Sequence, residues 1–537
     1  MTAAPRKFWG WGREGEGPSE EQAAGVLRTL AGHFGGEDLE LAPAPRIEDV
    51  TLPEPRLAPP EALAEICTRE PLERAGHTYG KSFRDIVRGL RGDFAPAPDF
   101  VAYPRDEGEI AALLDWCGGA GAAAIPYGGG SSVCGGVEAR VDDRFAGAVS
   151  IDLARLDRVL EIDRSSRAAR IQGGIYGPAL EDALRPEGLT LRHFPQSFEF
   201  STLGGWIATR SGGHYTTLYT HIDDFVEGMR TVTPTGVIES RRLPGSGAGP
   251  SPDRWLMGSE GTLGIIVEAW MRLQDRPTFR ASLSVRFTGT DGFRRGAQAV
   301  RALSQTGLFP TNCRLLDPNE AQTAGAGDGS AAILVLGFES ADHGLDAWMD
   351  RALECCRDAG GDAPEGAGRT RSDEGATREG AAGAWRQAFL HAPYLRDVLA
   401  RAACISETFE TAITWDRFES FHADVMNATE DAVKRVCGAG RVACRFTHVY
   451  PDGPAPYYTV LAPGRRGSEL EQWAEIKHAA SEALLAAGGT ITHHHAVGRD
   501  FRPWYDRQRP EGFARALRAA KSELDPAGIL NPGVLLD

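Results

Sequence analysis

Pro126-Tyr127-Gly128-Gly129-Gly130-Ser131-Ser132-Val133 is the stretch on which the reading of this chain turns. It follows a strand-like run, Ala123-Ala-Ile-Pro-Tyr127, and its three consecutive glycines let backbone N–H groups converge with no Cβ in the way, the geometry of an anion nest. A pyrophosphate fits such a nest. Neither GxGxxG nor GxxxxGK[ST] is present, so the two common nucleotide-loop patterns fail, and a bare glycine turn is the plain alternative. Two later stretches shift the weight towards a nucleotide. HFPQSFEFSTLGGWIATRSG (193–212) sets Gly204-Gly205 ahead of a short helix whose first N–H groups lack intrahelical partners, and GSEGTLGII (258–266) repeats a glycine-rich turn before a buried strand.

Around these stretches short strands and helices alternate. Phe100–Tyr103 reads as a strand and Asp106–Cys117 as a helix with Asp106 at its N-cap; Ala148–Asp152, Arg158–Ile162 and Ala169–Gln172 read as strands, and Gly177–Leu184 as a helix. Strands recur at Gly228–Thr233, Gly236–Ser240 and from Gly264 onward. Upstream, 61–90 reads as helical, and 1–60, rich in Pro, Gly and Glu with a short helix over 20–34, as an arm wrapping the body, with a floppy tail as the alternative. A composition change at Arg276-Pro-Thr-Phe279 opens a second rhythm. Strands over Ala281–Phe287 and Ala332–Phe338 lie between helices over 291–306 and 341–358, the layout of an antiparallel sheet covered by helices on one face. Residues 360–385, dense in glycine and charge, read as a mobile loop near the active-site mouth. A helix over 469–487, a strand over Gly489–His495 and a helix over 510–523 complete the pattern.

Length and composition set the outer bounds. At about 150 residues per domain, 537 residues make three to four units, each able to bury a core. A hydrophobic fraction of 42% excludes disorder as the main state. The net charge of −16 repels phosphate backbones, so no nucleic-acid partner is expected. Nine cysteines without a C-x-x-C pair suggest neither a disulfide framework nor a zinc ribbon, and point to a reducing, cytoplasmic compartment. No apolar run has the length of a signal peptide or a membrane span.

PYGGGSSV (126–133), PQSFEFSTLGGW (195–206), MGSEGTLGII (257–266) and the terminal Leu524-Asp-Pro-Ala-Gly-Ile-Leu-Asn-Pro-Gly533 resemble the vanillyl-alcohol-oxidase group of FAD enzymes. Within that group the chain is similar to the alkyldihydroxyacetonephosphate synthase family. The likeness rests on FEFSTLGGW, Pro393-Tyr-Leu-Arg-Asp397, Phe409-Glu-Thr411 with Trp415-Asp-Arg417, Thr447-His-Val-Tyr450 and His493-His494-His495. Phe8-Trp-Gly-Trp-Gly12 resembles that family's opening segment.

The resemblance implies an α+β fold in four parts: an N-terminal arm and helical segment (1–90), a two-lobed FAD-binding domain of vanillyl-alcohol-oxidase type (91–275), a cap or substrate domain with an antiparallel sheet (276–488), and a C-terminal helical segment returning to the FAD site (489–537). It implies FAD held non-covalently, since no linking histidine lies in 126–133. Pyrophosphate contacts then fall on Pro126 to Val133, and further flavin contacts on Gln196, Ser197, Ser201, Thr202, Thr209, Ser211, Gly212, Glu260, Gly261, Thr262, Gly264, Ile265 and Ile266. Catalytic roles fall on Tyr457, His495, Arg396, His493 and His494, and substrate binding on Arg314 and Arg396. The implied reaction exchanges the acyl chain of acyl-dihydroxyacetone phosphate for a long-chain alcohol in ether lipid synthesis, with the flavin as electrophile and no net redox change. Tyr457 and His495 handle protons; Arg396 favours the tyrosinate or binds phosphate. The implied partners are a small lipid substrate, a second copy in a homodimer and a peripheral membrane contact. The rival reading is an FAD-dependent dehydrogenase or oxidase of 2-hydroxy acids, because the same frame and a C-terminal histidine serve hydride removal. The chain departs from the family at Ala496, where glycine is favoured, and at Thr459 and Val460, where aromatics are usual.

Periodicity adds an independent reading. A strand over Gly489–His495 puts His493 and His495 on one side and His494 on the other, and a strand through Tyr457 turns Tyr458 away from it. An H-x-H pair holds zinc only with a third ligand, for which the fold would have to bring His448 or Glu410; no metal is expected. For Arg396 the plain alternative is a surface ion pair with Asp397 or another acid. A valine at Gly129 is expected to expel FAD by filling the pyrophosphate's space.

Overall fold

The computed structural model describes residues 5–34, 39–219, 221–363, 366–372 and 380–536. Phe100–Ala102, Gly147–Asp152 and Ala122–Tyr127 form a parallel ladder, extended antiparallel by Cys67–Thr68. Gly147–Asp152 lies inside this sheet and is buried on both faces, which is why it carries no polar alternation. The helix Glu107–Ala120 makes one crossover: the Asp106 side chain caps its start by accepting the N–H of Glu109, and Gly121 at φ 62° ends it. This ladder delivers the glycine loop at the carboxyl end of Ala122–Tyr127, where open α/β sheets present their ligand sites. The terminal segment pairs alongside the same strand, for Ala124 exchanges backbone bonds with Ile529 and Asn531.

A second sheet of five antiparallel strands runs in the order Val159–Asp163, Ala168–Gln172, Ile265–Arg272, Val226–Thr233, Gly236–Glu239. The third has six antiparallel strands: Phe279–Thr288, Ala331–Ser340, Asn312–Leu316, Arg441–Val449, Pro454–Pro463 and Cys404–Glu410. Its two faces separate cleanly. Leu334 and Leu336 join a core shared with the helices Gly292–Ser304 and Asp346–Asp358, while Ile333 and Val335 pack with Trp385 and Phe389 of the helix Gly380–Arg401. The expectation of helices on one face is therefore corrected: Gly380–Arg401 covers part of the other face, and the rest of that face looks into the cavity described below.

Three further expectations change. Residues 61–90 are not one helical stretch; Pro71 starts a separate helix, Pro71–Gly76, and the chain breaks again before Phe83–Leu90, whose cap is Ser82. Of the span read as a mobile loop, 364–365 and 373–379 lie outside the described residues. Its described parts are paired or helical: Asp362 and Arg371 bridge to Arg286 and Arg280 on the edge strand, and residues from 380 belong to a helix that buries Trp385. The strand over Gly489–His495 does not form, because the N–H groups of His493, His494 and His495 all turn to the carboxylate of Glu410 and none is left for a ladder. All nine cysteines are free thiols, and among the described residues no helix is long and apolar enough to cross a membrane.

One buried cation ties the C-terminus to this frame. Lys521, on the helix Glu511–Leu524, donates to the carbonyls of Thr262 and Leu530 and to Asp525, itself 1% exposed. Lys521→Met keeps the stem and strands the carboxylate. Thermal denaturation should show a loss of about 3 kcal/mol, the cost of breaking a buried pair from one side.

Candidate active site

The glycine loop faces the six-stranded sheet across a cavity of about 1220 Å³, mouth included. The loop is packed so tightly that side chains are forbidden: a Cβ at Gly128 would lie 2.3 Å from Thr202 Oγ1, one at Gly129 1.8 Å from the Phe200 carbonyl, and one at Gly130, whose φ is +68°, 1.9 Å from Tyr127 Oη. The reason expected for Gly129→Val is thus corrected, since the added side chain strikes the backbone at Phe200 before it reaches any ligand. Among the described residues no protein acceptor takes the N–H groups of Gly129, Gly130 or Ser131. Converging free donors over a cleft suit a pyrophosphate.

The opposite wall follows from strand period two. Arg314, Arg445, Tyr457, Thr408 and Glu410 share one face of the sheet, with Arg445 opposite Tyr457 and Tyr457 opposite Glu410 in register. Arg314 is 1% exposed, donates to the His214 carbonyl at 3.2 Å, and leaves Nε and Nη1 without a protein acceptor among the described residues. Burial, and then the neighbouring Arg445, push it down to about 9, so it stays cationic at neutral pH. Arg445 pairs with Glu320 and lies 3.8 Å over the Tyr457 ring. Arg396 reaches Thr408 Oγ1 at 3.2 Å, and Asp397 is committed to the Trp11 backbone, which removes the pairing with Asp397. Tyr458 turns away as period two requires, stacking on Phe409 at 4.9 Å.

The three histidines sit on an irregular loop held by Glu410. Its carboxylate accepts from Thr492 Oγ1 and from the N–H groups of His493, His494 and His495 at 2.6 to 3.0 Å. Burial opposes its charge, but His494 and His495, with Nδ1 atoms 3.3 and 3.6 Å away, and these bonds hold it well below the usual glutamate range. Burial pushes His495 down to about 3, leaving a neutral imidazole. His494 and His495 line the cavity, whereas His493 sits behind them against Tyr450 Oη at 3.1 Å, so the two-sided split expected from a strand is corrected. The fold does bring His448 to His493 and His494, whose ligand atoms all lie within 4.8 Å of one another.

Family comparisons agree with this geometry. A family described as "FAD binding domain" matches residues 98–240, and one described as "FAD linked oxidases, C-terminal domain" matches 276–535. A solved structure titled alkyldihydroxyacetonephosphate synthase superposes with a TM-score of 0.81 at 27% identity, covering 98% of each chain. The alkyldihydroxyacetonephosphate synthase of Caenorhabditis elegans is 30% identical across 86% of this chain and 79% of its own length. That of Dictyostelium discoideum is 31% identical over 525 residues, 93% of this chain and 84% of that protein. The chain belongs to the alkyldihydroxyacetonephosphate synthase family. Its cofactor is FAD, and its fold is that of the vanillyl-alcohol-oxidase group.

Against this synthase frame the expected residues divide. Gly128 to Val133, Gln196, Ser197, Ser201, Thr202, Thr209, Ser211 and Gly212 line the cavity together with Arg314, Arg396, Tyr457, His494 and His495. Pro126, Tyr127, Glu260, Gly261, Thr262, Gly264, Ile265 and Ile266 do not. Pro126 packs under Gly261, Tyr127 fills the space beneath Gly130, and Gly264–Ile266 lead into the strand Ile265–Arg272. Glu260 is a second clamp, accepting the N–H groups of Val497 and Gly498 at 2.9 Å each. Sequence reading did not assign Arg445, Thr408, Thr447 or Phe389 to the cavity. Period two counted from Tyr457 and its partner strand finds the first two; Phe389 needed the helix placement.

Glu410→Gln puts an amide N–H₂ against some of the four donors. The wild type should exceed it in stability by about 2 kcal/mol at neutral pH. Because the folded-state pKa of Glu410 is depressed, that advantage is complete above the unfolded value of about 4.3 and fades as pH falls through the folded one. Thermal melts of both proteins from pH 7 downward measure the difference.

Proposed function

We propose that this chain is an FAD-dependent alkyldihydroxyacetonephosphate synthase, exchanging the acyl chain of acyl-dihydroxyacetone phosphate for a long-chain alcohol. One observation carries the reading. In a protein of net charge −16, the described residues that line the cavity include Arg314, Arg396 and Arg445 and no aspartate or glutamate, because Glu410, on the same sheet face, is covered by the histidine loop it holds. Such a wall selects an anion, and a phosphate-bearing substrate supplies one. Bound FAD supplies an electrophilic centre for the substrate carbon next to the ketone.

The chain's own residues divide the remaining work. Arg314, with two donor nitrogens free of protein acceptors, and Arg396 hold the phosphate. The His495 imidazole, neutral at physiological pH, accepts a proton, and its ring centroid lies 5.5 Å from that of Tyr457. The Tyr457 hydroxyl moves the second proton between departing acid and entering alcohol, with the Arg445 guanidinium packed over its ring. A homodimer and a peripheral membrane contact belong to the same proposal; the part-exposed rings of Trp255 and Phe513, 6.2 Å apart, offer an apolar surface for either.

Acid or heat should release free FAD from the purified yellow protein, since the loop 126–133 has no linking histidine; flavin retained on the precipitated chain contradicts the non-covalent site. Tyr457→Phe should cut ether formation by about 10²- to 10⁴-fold with FAD content unchanged, while Tyr458→Phe stays near wild type in activity. Full activity in Tyr457→Phe, or flavin reduction by a 2-hydroxy acid with no ether product, would return the protein to the oxidoreductase class.

A further inference from the structure

Both matched family regions begin after residue 97, yet the N-terminal segment Arg6–Gly12 is built into the cavity. Phe8, Trp9 and Trp11 are 5%, 6% and 4% exposed. Arg6 reaches behind the glycine loop: Nη1 donates to the Gly129 carbonyl at 3.4 Å and to Tyr176 Oη at 2.7 Å, and Nη2 pairs with Asp152 at 3.0 Å. At the other end, the Trp11 backbone N–H donates to both oxygens of Asp397, 3.1 and 3.0 Å away, next to Arg396 on the helix Gly380–Arg401. Gly10 lies flat on that carboxylate, where a Cβ would come within 2.6 Å of Oδ2. Trp11 itself lines the cavity, edge-on to Phe200 at 5.5 Å, and its indole N–H is buried and meets no acceptor in the protein among the described residues.

A buried indole donor without a partner costs free energy unless a ligand supplies the acceptor. A segment anchored at one end to the loop that cradles the cofactor and at the other to the helix bearing Arg396 couples the two walls. We propose that Arg6–Gly12 is a strap that retains FAD, Arg6 bracing the glycine loop from behind and the Trp11 indole donating a hydrogen bond to the bound cofactor. This rests on FAD occupying the cavity. The assignment makes Arg6 a positioning residue and Trp11 a binding residue.

The test uses the full-length holoprotein and FAD. After dilution, the rise in free-flavin fluorescence gives the release rate, and circular dichroism of each variant reports folding. Arg6→Met should release FAD about tenfold faster, since it loses a charge-assisted contact set. Trp11→Phe, which keeps a ring and loses only the N–H, should release it about threefold faster. Gly10→Ala, which forces the strap off Asp397 without altering any polar group, should also accelerate release. Deletion of residues 2–12 should give the largest effect; where that chain does not fold, the point variants decide. Wild-type release rates in well-folded Arg6→Met, Trp11→Phe and Gly10→Ala overturn the strap while leaving the cofactor site standing. A wild-type protein purified without any flavin overturns the cofactor site itself.

Discussion

Two buried carboxylates hold one loop, and the site depends on them. Glu410, at the end of a strand in the six-stranded sheet, takes the N–H groups of 493, 494 and 495; Glu260, in a turn of the flavin-binding half, takes those of 497 and 498. Five nearly consecutive amides in an irregular segment would otherwise be buried donors with no ladder to satisfy them, a penalty too large for a native loop to carry. Charged acceptors solve this with bonds about twice as strong as neutral ones. The arrangement also aligns the two halves of the protein, because one clamp comes from each. Ala496 stands between them at φ +69°, the corner where the chain passes from one carboxylate to the other. A glycine would adopt this backbone conformation freely, and this chain carries the strain of a Cβ there.

The second constraint is the parity of the six-stranded sheet. Along Pro454–Pro463, Tyr457 looks into the cavity and Tyr458 into the core, and the antiparallel register carries the same division to Arg445 against Cys444 and to Glu410 against Phe409. A slip of one residue would exchange the two sets, burying guanidiniums in the apolar core and exposing Phe409 to the cavity. Polar chemistry and core packing on these strands are therefore two readings of one register.

Much of this was legible in the residues. Glycine spacing marked the loop at 128–130, short apolar runs marked most strands of the first two sheets, and Tyr457 and Tyr458 were separable by parity alone. The triple histidine was not, because a local pattern reads His-His-His after Thr-Ile-Thr as a strand, whereas the deciding acceptor, Glu410, lies more than eighty residues upstream. The strands Cys404–Glu410 and Arg441–Val449 bring these groups together through pairing that no local window contains. Glu260 sits in a glycine-rich motif that resembles a ligand loop, and only the position of residues 497–498 shows that its ligand is the protein's own backbone.

Charge distribution completes the reasoning from composition to chemistry. An excess of acidic residues over the whole chain would oppose binding of a phosphate-bearing substrate if it extended into the cavity. It does not, because buried acids around the site are spent: Glu320 on Arg445, Asp397 on Trp11 and Lys7, Asp152 on Arg6 and His77, Glu410 and Glu260 on backbone amides. Arg314 is a fully buried cation with no ion pair among the described residues: it donates to the His214 carbonyl and lies near Arg445 and the ring of Phe389, 5.1 Å from its guanidinium. Burying an unpaired charge is costly, and a fold tolerates the cost where a ligand of opposite sign is to be bound. The acidic exterior and the cationic cavity are thus compatible, since these buried carboxylates are already engaged and leave the anion to the arginines.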